Sequence, residues 1–358
     1  MAEPSVIAMI KDQKQQVSEG GTAIQAGGSV SITNTGLTYS EVREVALDVF
    51  RANFYELSGL AKEIAKTRAE QVTEEFLSKL QRENPSGLSK ANDPDFQHAL
   101  FTVQKEFART GDKDLGDLLV DLLVDRSKQE QRDILQIVLN ESLNTAPKLT
   151  DNQVAVLAIV FLFKYTQNFD VGDHATLGQY LDKHVAPFAS KLLKNMAAYQ
   201  HLEFCGCGSI GMGSIRLETI LGNTYQGQFL KGFESKAISE RAVSLGNDPR
   251  FFIPCLNDPK LLQVRANSKE TLEKMFDTHN VAAEDRAKIS DLLDLNKMSD
   301  AEIKAKCIEI RPFMADVFDT WSSSQMAHFT LTSVGIAIGH ANIKRLVGEF
   351  ANLSIWIN

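Results

Sequence analysis

Ten consecutive apolar residues, Val154 to Phe163 (VAVLAIVFLF), stop at a lysine, Lys164. A helix crossing a bilayer needs about 20 such residues, so this run is too short to span one. A helix that is apolar on every side is stable only when neighbours cover it all round. The run therefore predicts a buried core helix inside a larger body. The chain of 358 residues supplies that body, with room for two or three domains at roughly 100–200 residues each. Its 43% hydrophobic and 23% charged residues are those of a globular protein. Lys plus Arg number 38 and Asp plus Glu 46, and a net charge of −8 argues against broad affinity for nucleic acid or anionic membrane.

The texture along the chain divides it into three: an arm with a short β unit (1–38), a helical domain (39–200) and a second α-rich domain (201–358). The first 19 residues are polar, as a weakly ordered arm is. Then Ile24, the pair Gly27 and Gly28, and Val30 and Ile32 alternating with serines read as strand, tight turn, strand. Two strands alone are marginal in water. This unit must pair with its own body or with the same segment of another chain. From Tyr39 the period becomes helical: Val42, Val45, Val49, Leu57, Leu60, Ile64, Phe76, Leu77 and Leu80 share a face. One helix of about 40 residues, or two joined near Gly59, fits, with Ser40 as N-cap. Phe50, Phe54 and Tyr55 read as packing residues on it.

Helical texture continues through Phe96–Arg109, Leu115–Val124, Gln131–Leu143 and Leu177–Tyr199, with Thr150 and Asp151 placed to cap the apolar run. Residues 203–233 are rich in glycine and suggest a hinge or a close backbone contact. Ala282–Leu295 and Ala301–Trp321 are the clearest helices beyond it. Near the end, Phe329 and Leu331 alternate with threonines, and Gly335 opens an apolar helix over Ile336–Leu346. This strand-then-helix order suggests a winged-helix-like module, and LSIWIN reads as a terminal strand. The expected fold is mainly α: a helical body, a small N-terminal β-hairpin or arch, and that strand-containing C-terminal module.

Candidate chemistry is sparse. Asp117, Asp121 and Asp125 recur every fourth residue of GDLLVDLLVDRS and invite a metal, but we read them as the solvent face of a helix. His201, Cys205 and Cys207 form H-x3-C-x-C, tight for zinc and without a second pair. They are weak metal candidates, read as residues of a glycine-rich bend; no cofactor is expected. Gly206, Gly208 and Gly211 spell G-x-G-x-x-G without the strand before it that a dinucleotide site requires. Among the scattered histidines, His174 beside Asp173 and His184 near Asp182 suggest a catalytic group, and Asp173, His174 and His201 a cleft that could assemble from distant segments. Four cysteines fit a reducing cytoplasm rather than a disulfide scaffold, and the N-terminus lacks the layout of a signal peptide.

The strings AIQAGGSVSI, LTYSEVREVALDVFRANFYEL, LLVDRS, LQIVLNESL, APKLT, LTSVGIAIGHAN and LSIWI together resemble an uncharacterised bacterial protein family labelled by locus-style names. The resemblance spans nearly the whole chain and implies no catalytic residue. Separately, AIQAGGSVSI is similar to short glycine-rich β-arch motifs that precede effector domains in immune-type signalling proteins and template assembly there. That likeness implies a role in phage defence or a stress response. The expected function is a non-enzymatic cytoplasmic assembly protein, a homo-oligomer joined through Ile24, Gly27, Gly28, Val30 and Ile32 by backbone pairing between strands. The alternatives are a hydrolase or nuclease assembled from distant segments, and a winged-helix DNA-binding regulator over 300–346.

Overall fold

The computed structural model describes residues 37–53 and 59–358. The β unit with Ile24, Gly27, Gly28, Val30 and Ile32 lies outside the described residues, as do Phe54 and Tyr55. The expected N-terminal helical stretch is two helices, α1 (Tyr39–Asn53) and α2 (Gly59–Glu83), and Gly59 begins the second at φ 57°. Thr38, not Ser40, caps α1: its Oγ1 accepts from the Glu41 N–H at 3.3 Å, and its own N–H donates to the Glu41 carboxylate at 2.7 Å. Next come α3 (Pro94–Thr110), α4 (Lys113–Ser127), α5 (Ile134–Thr145) and α6 (Asp151–Tyr165). Each starts on a side-chain cap, from Asp93, Asp112, Asp133 and Thr150, which satisfies backbone donors that the first turn leaves open.

The apolar run forms α6, buried without a break from Gln153 to Phe163. What covers it comes from far along the chain. Helix α7 (His174–Tyr180), a π-helical turn and α8 (Ala186–Ala189) lead to α9 (Met196–Phe204) and strand β1 (Gly208–Ile210), with α10 (Leu217–Thr224) beyond. After a smaller module come α14 (Asp300–Ile310), α15 (Met314–Ser323), β4 (Phe329–Leu331) and α16 (Ser333–Val347). Helix α16 lies against α6, α4 and α5. It is a buried central helix rather than the exposed reader of a winged helix, because Gly335 through Ile343 are all covered. The approach is close enough that a Cβ on Gly339 would sit 2.9 Å from the Leu157 carbonyl oxygen. A Cβ on Gly335 would overlap the Cys207 carbonyl oxygen outright.

Strands β1 and β4 pair antiparallel, Gly208 opposite Leu331 and Ile210 opposite Phe329. The end of α6 holds this ribbon. Lys164 Nζ donates to the carbonyls of Ala327 (3.1 Å) and Phe329 (2.8 Å), and the Leu331 N–H donates to the Tyr165 hydroxyl at 2.9 Å. Residues 37–358 form one compact unit, and its main core runs from Val42 to Ile357 across the position expected as a domain boundary near 200.

The smaller module has a core of its own, with Phe233, Phe251, Val264, Phe276, Ile289 and Leu293 at its centre. It comprises α11 (Lys236–Glu240), β2 (Phe252–Pro254), β3 (Leu262–Val264), α12 (Lys269–Thr278) and α13 (Ala283–Leu293), with β2 and β3 antiparallel. Two further expectations change. Ala301–Trp321 is not one helix: Pro312 cannot donate to the turn before it, and Arg311 takes an extended conformation between α14 and α15. The terminal LSIWIN is no strand but a short turn of 3-10 helix, Leu353–Ile355.

Candidate functional site

The acid stripe of α4 is where structure and expectation part most sharply. Asp117 does face solvent, paired with Lys113 at 3.0 Å. Asp121 and Asp125 are buried, so the solvent-face reading is corrected for these two. Spacing of four puts all three on one side of the helix, and the neighbouring helices cover that side toward its C-terminal end. Lys79 of α2 stands 2.5 Å from Asp121 Oδ1, while Asp121 Oδ2 has no hydrogen-bond partner. Lys344 of α16 reaches Glu83 at 2.8 Å, Asp125 at 3.1 Å and Asp121 at 3.8 Å. Lys128 closes the group, 2.6 Å from Asp125. Three lysines and three carboxylates thus meet where α2, α4 and α16 converge.

Burial and charge oppose each other here. Burial raises the Asp121 carboxyl, and Lys79 only partly offsets it. Burial also pushes Asp125 up, but Lys344 and Lys128 outweigh it and leave its carboxyl below the usual range. Burial pushes Lys344 down, and the three acids around it more than reverse that.

One turn before Lys344, on the same side of α16, is His340. It lines a cavity of about 360 Å3 with Asp125, Lys128, Leu135, Leu139, Lys344 and the returning tail from Phe350 to Ser354. Pockets for small ligands commonly fall at about 300–1,000 Å3. His340 Nε2 lies 2.6 Å from the Ala351 carbonyl oxygen. A carbonyl only accepts, so Nε2 carries the proton and Nδ1 presents a lone pair. That nitrogen is buried and has no hydrogen-bond partner. An unmet buried acceptor costs about 1–3 kcal/mol. Burial also pulls the His340 pKa down, against the pull of the Ala351 carbonyl and Asp125, which keeps the ring neutral. Phe161, Phe350 and Trp356 surround the ring at centroid distances of 6.1, 5.5 and 5.9 Å.

The other sequence candidates are placed differently. His201 Nε2 and Cys205 Sγ lie 3.6 Å apart, a thiol and imidazole one turn apart on α9. The pair looks like a nucleophile and its base until its second contact is followed. Gln153 Oε1 accepts from the Thr150 N–H at 3.0 Å in the capping box of α6, which turns Gln153 Nε2 toward His201 Nδ1, also at 3.0 Å. An amide N–H donates, so Nδ1 is the acceptor and Nε2 carries the proton. The imidazole is then a donor to the sulfur, not a base for it. Cys207 is fully buried, its thiol pushed up to about 12 by burial. Among the described residues, no group of three His, Cys, Asp or Glu is placed to hold a metal ion.

Asp173 and His174 do not meet His201 in a cleft. Asp173 caps α7 through the Thr176 N–H, His174 Nε2 faces the Gln228 carbonyl at 3.0 Å, and His201 is held by Gln153 and Cys205. The G-x-G-x-x-G run follows a helix and opens into β1, the reverse of a phosphate-binding turn.

A family model carrying a locus-style label matches residues 36–357, a stretch that includes the ion network, His340 and the tail. The chain belongs to that uncharacterised family. No curated protein and no solved structure matches it. In this family member, the sequence pattern singles out Asp121 and Asp125 as a stripe but does not join Lys79, Glu83, His340 or Lys344 to them. The available signal was local: two acids inside LLVDLLVD, where every neighbour is apolar, and a histidine and a lysine four apart on α16.

Proposed function

We propose that this chain is a non-enzymatic assembly and interaction protein of the cytoplasm. Copies join through the N-terminal β unit, Val30 and Ile32 at its pairing core, with α2 adding apolar contact, while the C-terminal half acts as the sensor or effector. One observation carries this reading within the described residues. Leu60 and Ile64, one turn apart at the start of α2, are 76% and 41% exposed. Apolar side chains at that spacing form a ridge, and a ridge left in water is what a second copy covers. The likeness of AIQAGGSVSI to β-arch motifs supports placing this assembly in a stress or phage-defence response. No helix among the described residues is long and apolar enough to cross a membrane.

Absolute mass by light scattering tests the proposal, on the full chain and on a version starting at Leu37, since residues 37–358 carry their own core. The full chain is expected as a defined oligomer and the shortened one as a folded monomer. Val30→Pro, which removes a backbone donor, and the pair Leu60→Lys, Ile64→Lys should each lower the mass. Equal masses for the two lengths would sink the assembly reading.

A further inference from the structure

We propose that Lys164 captures small apolar aldehydes as an imine, in the cavity that its side chain lines together with Phe163, Ile215, Ile220, Asn223 and Thr224. That cavity has a volume of about 590 Å3 and lies where the end of α6 passes α10. Contacts on both sides of Ile215 place the amine itself at the cavity wall. Lys164 Nζ and the Ile215 N–H both donate to the Ala327 carbonyl, each at 3.1 Å. Nζ also lies 5.4 Å from the centroid of the Trp321 ring, whose Nε1 donates to the Ile215 carbonyl at 2.9 Å. A second carbonyl, that of Phe329, accepts from Nζ at 2.8 Å. No carboxylate among the described residues pairs with this lysine. Lys344 is buried to a similar degree, and its three acids keep it charged. Lys164 has burial alone acting on it, which pulls the amine down to about 8.

At pH 7.5 a lysine near its ordinary value is about one part in a thousand neutral, and one near 8 is about a quarter neutral. The neutral amine has two N–H bonds, which the Ala327 and Phe329 carbonyls accept, and a lone pair that neither carbonyl can take. That lone pair forms a C–N bond to the carbonyl carbon of an aldehyde as the C=O π pair moves to oxygen. One proton passes from nitrogen to that oxygen. The second N–H proton leaves with the same oxygen as water, and the imine remains, with no oxidant or reductant needed. The apolar character of the aldehyde follows from the walls. Phe163, Ile215 and Ile220 are apolar, and the donors of Thr166 and Gln167 already serve the Leu162 and Thr224 carbonyls at 2.7 and 3.1 Å. A charged ligand would exchange water for these walls at a cost that an apolar one does not meet. Capture is reversible and independent of whether the chain assembles.

The test uses the full chain at pH 7.5 with butanal, whose imine is reduced in place by added cyanoborohydride, and each lysine is read by mass spectrometry after proteolysis. Lys164 is expected to be alkylated at least tenfold faster than Lys260, which is exposed and has no ion pair among the described residues. With glyoxylate, an aldehyde that carries a carboxylate, the preference for Lys164 over Lys260 should be at least threefold smaller. Lys164→Arg keeps the charge and donors for both carbonyls, and should abolish the fast adduct while the slow ones remain. Asn223→Trp, at the exposed rim of the cavity, should slow Lys164 at least tenfold while leaving Lys260 and the circular dichroism unchanged. Lys164 reacting no faster than Lys260 overturns the amine as the nucleophile. An unchanged rate in Asn223→Trp overturns the cavity as the place of capture. A preference as great or greater with glyoxylate overturns the apolar class of ligand and makes the cavity an anion site.

Discussion

Lys344→Met is the substitution with the most to lose in this molecule. The side chain is 15% exposed, and its ammonium serves Glu83, Asp125 and Asp121 at 2.8, 3.1 and 3.8 Å. Methionine keeps the length and the packing and removes only the charge. Asp125 is then left with Lys128, which is itself 34% exposed, and Asp121 with Lys79 alone. Removing one partner of a buried ion pair costs about 3–5 kcal/mol, because the charge left behind is out of water and short of compensating charge. At about 1.4 kcal/mol per decade, the folding constant should fall by two to three and a half orders of magnitude at pH 7.5. The pH dependence carries the sharper test. In the native chain Asp125 is held below its usual range, so it contributes stability above the unfolded carboxyl value near 3.8, lost as pH falls through the lower folded value. Without Lys344 that contribution shrinks and burial favours protonation. The gap between native and variant should therefore be widest above about pH 5 and narrow below it. Urea unfolding followed by circular dichroism at pH 7.5 and pH 4.5 measures both. A loss under 1 kcal/mol at pH 7.5, or a gap that stays constant, would refute the account of a buried, mutually dependent network. Adding Asp125→Leu to Lys344→Met should restore part of the loss, since it removes the stranded charge.

Four further outcomes follow from other contacts. Gly335→Ala should destabilise by more than about 3 kcal/mol, beyond the usual overpacking range, because its Cβ overlaps the Cys207 carbonyl, whereas Gly213→Ala, with nothing within 4 Å of its Cβ, should change the unfolding midpoint little. With a thiol-reactive disulfide reagent, Cys205 should react first in the folded chain and Cys207 and Cys307 only on unfolding, since burial has pushed those two thiols up to about 12; four fast thiols would contradict this. His340, pulled below its ordinary value by burial, contributes stability that is present above about pH 6.5 and lost as pH falls through its lower folded value; His340→Phe should flatten that part of a melting-temperature profile between pH 7.5 and 5. Thr150→Ala removes the hydroxyl that caps α6 while keeping the backbone N–H that orients Gln153, and should cost about 1 kcal/mol in urea unfolding.

The mainly helical fold was legible because its signals are local. An apolar run with a capping threonine announces α6, and Asp93, Asp112, Asp133 and Ser299 mark the starts of α3, α4, α5 and α14. Errors arose wherever a distant segment decided the outcome. The acid stripe looked solvated because nothing in LLVDLLVD shows that Lys79 and Lys344 will lie over it. The C-terminal strand and helix looked like a wing because nothing in HFTLTSVGIAIGHAN shows that its helix passes beside Leu157. Pro312 is a local signal that also went unused, and it splits α14 from α15.

The two non-local errors share one cause, the rotational setting of α16. Gly335 and Gly339 lie one turn apart and admit the backbones of Cys207 and Leu157. His340 and Lys344, also one turn apart, are displaced from those glycines by one residue, about 100° around the helix. Once the glycine side is pressed against α6, His340 and Lys344 must turn toward α4, α5 and the tail. A side chain at Gly335 or Gly339 would push α16 outward and withdraw the ammonium from Asp121 and Asp125 together with the imidazole from Ala351. The small residues that sequence reading took only as the opening of an apolar helix are thus positioning residues for the pocket. Gly339→Val, where a branched side chain meets the Leu157 carbonyl oxygen at 2.9 Å, should therefore lower the urea midpoint and flatten the His340 part of the pH profile together, whereas Gly213→Ala should move neither.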